Sequence, residues 1–126
     1  MGLMTFEEMR DRYEKGEDSL NLALEKWDRI LTDSRTVFQL THFQDILRAA
    51  VVPLFLCVEY EKQCHICPIF SVCRQGYSED WTNLMRVVQA YAFAGDLLPL
   101  DPYLGHLETF VHKLRQCHEK QYSKAN

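Results

Sequence analysis

Apolar side chains that recur three and four residues apart constrain this chain more than any other feature, because that spacing fits one face of an α-helix and does not fit a β-strand. Leu20, Ala23, Leu24, Trp27, Ile30 and Leu31 form one such stripe. Phe43, Ile46, Leu47, Ala50, Val51 and Leu54 form a second, and Leu84, Val87, Val88, Tyr91 and Ala92 a third. Tyr103, Leu104, Leu107, Phe110, Val111 and Leu114 form the last. Each stripe needs a covering surface, and several in one chain cover one another in a bundle. No alternating apolar–polar run long enough for a strand intervenes. At 126 residues the chain fits one domain with a self-sufficient core. The expected fold is all-α, with residues 1–126 as a single-domain bundle of about five helices.

Local signals set the helix ends. Thr5-Phe-Glu-Glu8 has the form of a capping box and predicts a short first helix running to Gly16. Asp18 or Ser19 caps the second helix, which ends near Asp33-Ser34. The third starts at Thr36 and meets Pro53, which kinks it or restarts it with the proline in a new first turn. Cys57, three residues beyond Leu54, then falls on the buried face. Ser78 caps the fourth helix, with Glu79 and Asp80 placed to favour its positive end. That helix stops near Gly95 to Pro99, Asp101-Pro102 opens the last one, and residues 120–126 are expected to fray.

Between the third and fourth predicted helices, residues 59–76 lose helical periodicity, and residues 57–76 read as a cysteine-rich metal-binding loop. Cys57, Cys64, Cys67 and Cys73 place four thiols within seventeen residues, at intervals of six, two and five. The two-residue gap lets the thiolates of Cys64 and Cys67 turn toward one centre, and the longer arms let Cys57 and Cys73 close a tetrahedron around it. Four anionic sulfurs held together need a metal to offset their repulsion. Ile66, Ile69, Phe70 and Val72 offer an apolar surround. A 4Fe-4S cluster is the first occupant to consider. Zinc is the alternative, although zinc sites more often use two short cysteine pairs and this loop has one. The third option is a set of free thiols packed as small hydrophobes, or their oxidation to disulfides.

The C-x6-C-x2-C-x5-C arrangement resembles the iron–sulfur cluster loop of the endonuclease III-like DNA glycosylases, in which proline after the third cysteine, here Pro68, is also common. The resemblance implies one thiolate from each of Cys57, Cys64, Cys67 and Cys73 to a cubane cluster. It covers residues 57–73 only. Upstream of Cys57 no segment resembles the glycine-rich helix-hairpin-helix DNA grip of that family, and VEYEKQ carries two acids and one base where the family's loop tends to be basic. The resemblance therefore carries the ligands and not the glycosylase activity.

Charge narrows the partners. The net charge is −4, and the excess lies in residues 1–33, with nine acids against five bases. A phosphate-gripping protein normally shows a basic stripe, and none is present. Nucleic-acid binding rests on the glycosylase-like loop alone, and the acidic helices read as a solvated face. The start lacks a secretory signal, and the longest apolar run, Ala49 to Val58, is too short for a bilayer, so a cytoplasmic protein without membrane contact is expected. Five cysteines fit a reducing compartment. Trp27, Trp81, Tyr91 and Phe110 sit among Leu and Val at helical spacing and read as core, not as base-stacking platforms. His65 reads as a loop histidine, while Cys117 and His118, like His106 and His112, fall on different sides of their helix. No Walker loop, dinucleotide fingerprint, HExxH or Ser/His/Asp arrangement offers catalysis. The expected role is a structural or regulatory metal centre serving a protein partner. The alternatives are a nucleic-acid accessory factor and an electron carrier or redox sensor.

Overall fold

Thr5, Asp18 and Ser78 start helices through their side-chain oxygens, which accept from the amides of Glu8 at 3.1 Å, Asn21 at 3.0 Å and Trp81 at 3.3 Å. The computed structural model describes residues 2–36, 42–51, 54–73, 78–94 and 100–125. These hold helices α1 (Phe6–Glu14), α2 (Ser19–Thr36), α3 (His42–Val51), α4 (Phe55–Glu59), α5 (Glu79–Ala94) and α6 (Leu100–Ala125), with two 3-10 turns, Cys64–Ile66 and Phe70–Val72, between α4 and α5. There is no strand among the described residues. The predicted stop from Gly95 to Pro99 lies outside them. Asp101 and Pro102 occupy the first turn of α6, where the missing amide of proline costs no helical bond.

Only half of the predicted capping box forms. The Glu8 carboxylate is taken by Arg12 at 3.3 Å and Arg29 at 2.9 Å. Arg29 also donates to Glu25 at 2.7 Å, and Arg12 to Glu17 at 2.7 Å and to Glu25. The acids that make this segment anionic thus knit α1 to α2. Gly16, at φ +98°, lets the chain turn between the two helices. The Arg29 guanidinium holds the Glu8 carboxyl below its ordinary 4.5, and Arg12 does the same for Glu17 and Glu25. Groups with depressed folded pKa values contribute stability that is complete above about 4.5 and is lost as pH falls through the lowered values. Arg29→Ala should therefore cost about 1 kcal/mol at pH 7 and close to nothing near pH 2, compared by urea unfolding. An equal cost at both values would assign Arg29 a packing role instead.

The core lies where α2 packs on α6, α6 on α5, and α5 on α3. Leu20, Ala23, Trp27, Ile30 and Leu31 are buried against Ile46, Ala50, Leu84, Val88, Tyr91, Tyr103, Leu107, Phe110, Val111 and Leu114. Trp27 stands edge-on to Phe110 at 4.6 Å and to Trp81 at 6.0 Å, so these aromatics are packing groups. The buried Ser34 and Tyr103 hydroxyls satisfy each other at 2.5 Å across α2 and α6, and burial pushes the Tyr103 phenol up to about 12. The side chains of Phe43 and Val51 lie outside the described residues.

The third predicted helix is two helices. α3 ends at Val51 and α4 restarts at Phe55 after Leu54, which is extended at φ −93° and ψ 147°; Pro53 itself lies outside the described residues. The restart resets the helical phase. Leu56 turns inward, while Cys57 and Val58 face solvent, so the expectation that Cys57 lies on the buried face is corrected. At the other end, α6 continues past Glu119 to Ala125, helped by Tyr122, whose hydroxyl donates to Asp18 at 2.9 Å. No helix among the described residues is long and apolar enough to cross a membrane.

Candidate metal centre

Glu59 fixes the start of the cysteine segment. Its carboxylate accepts from the Tyr13 hydroxyl at 2.9 Å and from the buried Ser19 hydroxyl at 2.5 Å, which ties α4 to α1 and α2. Cys57, two residues earlier, is held on the outer side of α4. Beyond Tyr60 the chain reverses through Lys62, whose φ of +64° is a left-handed conformation that costs a residue with a β-carbon about 1 kcal/mol. That reversal leads directly into Cys64.

The two-residue spacing of Cys64 and Cys67 is realised as a 3-10 turn, in which the Cys67 amide donates to the Cys64 carbonyl at 3.0 Å. A 3-10 helix repeats every three residues, so residues i and i+3 return to one side. The Phe70 amide donates to the Cys67 carbonyl at 3.1 Å and opens the second turn, within the predicted helical turn at Ile69–Cys73. The Cys73 amide closes it on Phe70 at 3.3 Å, and its carbonyl then accepts from Ser78 at 3.4 Å at the start of α5.

This second turn packs on α5 and α6 and buries Ile69 and Val72, with Cys67 and Cys73 half-buried beside them. Phe70 is also half-buried. Ile66, by contrast, is 56% exposed, on the first turn, which packs on the second. Of the four apolar side chains expected around the cysteines, Ile69 and Val72 are buried, Phe70 is half-buried and Ile66 is exposed. Val58, 60% exposed on α4, adds a second outward apolar side chain to the segment.

Electrostatics link the four thiols. Burial pushes the Cys67 thiol pKa up, the Ile69 amide donated to its sulfur opposes that, and the thiols of Cys73, Cys57 and Cys64 each push it up further. Among the described residues no group of three or more His, Cys, Asp or Glu side chains is drawn together closely enough to hold a metal ion as it stands. What the segment does bring together is four thiols on one short stretch of chain, two of them joined by a single 3-10 turn.

Sequence reasoning missed Lys26. It is 1% exposed on α2, with Nζ 3.1 Å from the Ala50 carbonyl of α3 and 5.2 Å from the centre of the Trp27 ring. Burial lowers its pKa to about 8, and the nearby Cys57 thiol acts in the opposite direction. Its position carried a signal, since it lies four residues after Leu22, three after Ala23 and four before Ile30, all of them buried.

The remaining candidates separate as expected. His65 is exposed in the loop. Cys117 lies 3.7 Å from the Ser71 hydroxyl, whereas His118 bonds Asn21 at 2.5 Å and stacks near Tyr122, so these neighbours diverge. His112 pairs with Gln116 at 3.3 Å within α6. Comparison of the chain with known protein families, with curated proteins and with solved structures finds no match.

Proposed function

We propose that Cys57, Cys64, Cys67 and Cys73 hold one 4Fe-4S cluster, that this centre staples the loop between α4 and α5, and that the stapled loop serves a protein partner in the cytoplasm. The observation that carries this reading is that four thiols lie on one segment of seventeen residues, with the Cys67 amide donating to the Cys64 carbonyl across a single 3-10 turn. When bound, the iron supplies the positive charge that lets four thiolates share one site.

The interaction role is supported by Val58 and Ile66, two large apolar side chains that the same segment turns toward solvent. A loop fixed by a metal presents such residues in one arrangement and spares a partner the entropy of ordering them. Zinc satisfies the same four donors and is the alternative occupant.

Thiol protection tests the ligand set. Protein reconstituted anaerobically with iron and sulfide is alkylated under native conditions and each cysteine is read by mass spectrometry. Metal loading should protect Cys57, Cys64, Cys67 and Cys73 together and leave the reactivity of Cys117 as it is in metal-free protein. Protection of a different set, or of none, would overturn the assignment.

A further inference from the structure

Cys64-His-Ile-Cys67 is one complete backbone turn, bounded on both sides by local geometry. Ahead of it the left-handed Lys62 reverses the chain, and the Ile66 amide donates to the Gln63 carbonyl at 3.1 Å. At its far end Pro68 disfavours the helical region for the residue before it, and Cys67 accordingly sits at φ −65° and ψ 138°. The turn therefore stops at the second cysteine, closed by the 3.0 Å bond from the Cys67 amide to the Cys64 carbonyl. In 3-10 geometry three steps of about 2.0 Å complete one turn, so residues i and i+3 eclipse with their α-carbons roughly 6 Å apart. A disulfide joins α-carbons roughly 4.4–6.8 Å apart, and this backbone holds the pair within that range. The two cysteines also differ in their surroundings. Cys67 packs against the hydrophobic core with Ile69 and Val72, whereas Cys64 is flanked by the exposed Gln63, His65 and Ile66 and is the one a dissolved reagent meets first.

We propose that Cys64 and Cys67 are a redox-modification site, a dithiol that a small-molecule disulfide converts reversibly to an intramolecular Cys64–Cys67 disulfide. The inference stands on the turn alone and uses two thiols, so it holds whether or not the four cysteines bind metal. The Cys64 thiolate attacks one sulfur of the small disulfide, breaks its S–S bond and releases the first small thiol. The Cys67 thiolate then attacks the Cys64 sulfur of the mixed disulfide, forms the Cys64–Cys67 bond and releases the second. Two cysteine sulfurs are oxidised, the two sulfurs of the small disulfide are reduced, and the two cysteine protons end on the released thiols. A disulfide that closes so short a loop at an accessible turn belongs to the labile class and not to the structural one.

The full chain, stripped of metal by a chelator and fully reduced, is equilibrated anaerobically in graded mixtures of reduced and oxidised glutathione. It is then quenched by alkylation and read by tandem mass spectrometry. Oxidation should give a monomer lighter by two hydrogens, in which Cys64 and Cys67 escape alkylation while Cys57, Cys73 and Cys117 are alkylated. Because the fold supplies the turn, ring closure at a given glutathione ratio should be favoured at least about tenfold in native buffer over denaturing urea. Pairing of Cys64 or Cys67 with any other cysteine would overturn the inference, as would oxidation that stops at the glutathione adduct or does not occur. Equal ring closure in native buffer and in urea would overturn it as well, since the sequence spacing and not the folded turn would then bring the thiols together.

Discussion

Protein carrying Cys64→Ser or Cys67→Ser should be isolated without its metal and should melt far below the wild type. These two cysteines share one 3-10 turn, and each is bracketed by the hydrogen bonds that define it. A serine preserves that backbone turn but offers no thiolate, so the change removes a ligand and leaves the local fold available. A structural metal contributes on the order of 10 kcal/mol to the folded state near neutral pH, more than almost any single side chain. The loss should appear first in residues 60–73, which hold two short turns and the left-handed Lys62, while α2, α5 and α6 retain the buried core. Hydrogen exchange resolved by segment distinguishes the two regions. Cys117→Ser, by contrast, should keep both metal and melting temperature close to wild type. If Cys64→Ser protein holds the same metal and melts at the same temperature as wild type, the staple does not exist.

Trp27→Ala should destabilise the protein by about 3–5 kcal/mol in urea unfolding, a large part of the stability of a domain this size. Trp27 is 2% exposed and joins Phe110 and Trp81 in an edge-on cluster where α2, α5 and α6 meet. The cavity left by an indole there cannot be closed by one neighbour, because Phe110 and Leu114 belong to α6 and Leu84 to α5. Trp81 is only partly buried at the edge of the same cluster, and Trp81→Ala should cost less. A Trp27→Ala protein as stable as wild type would contradict the packing account and return this indole to the class of binding residues.

The helices were legible because burial and periodicity carry the same information: a residue on the apolar stripe is a residue in the core. That logic placed Ala23, Trp27, Ile30, Leu84, Val88, Tyr103, Leu107 and Leu114 correctly. It misplaced Cys57 because phase is continuous only within one helix, and the restart at Phe55 turns Leu56 inward in its stead. It passed over Lys26 because a charged residue on an apolar stripe is discounted, although Leu22, Ala23 and Ile30 surround that position in helical spacing. The pairing of Arg12 with Glu25 joins α1 to α2 and that with Glu17 ties α1 to the connection between them, and no local rule announces either. Ile66 reads as apolar lining, but which of two short turns touches the bundle is a tertiary fact. The cysteine spacing named four candidate donors, and the 3-10 turn that joins Cys64 to Cys67 became visible only in the fold.

Metal and sulfide analysis together with a visible spectrum, on protein purified without oxygen, tests the central claim most directly. The account predicts brown protein with about four irons and about four sulfides per chain, its colour lost on replacement of any of the four loop cysteines. One zinc per chain in colourless protein would keep the staple and discard the cluster. Colourless protein without metal, after anaerobic purification and after reconstitution, would contradict the account.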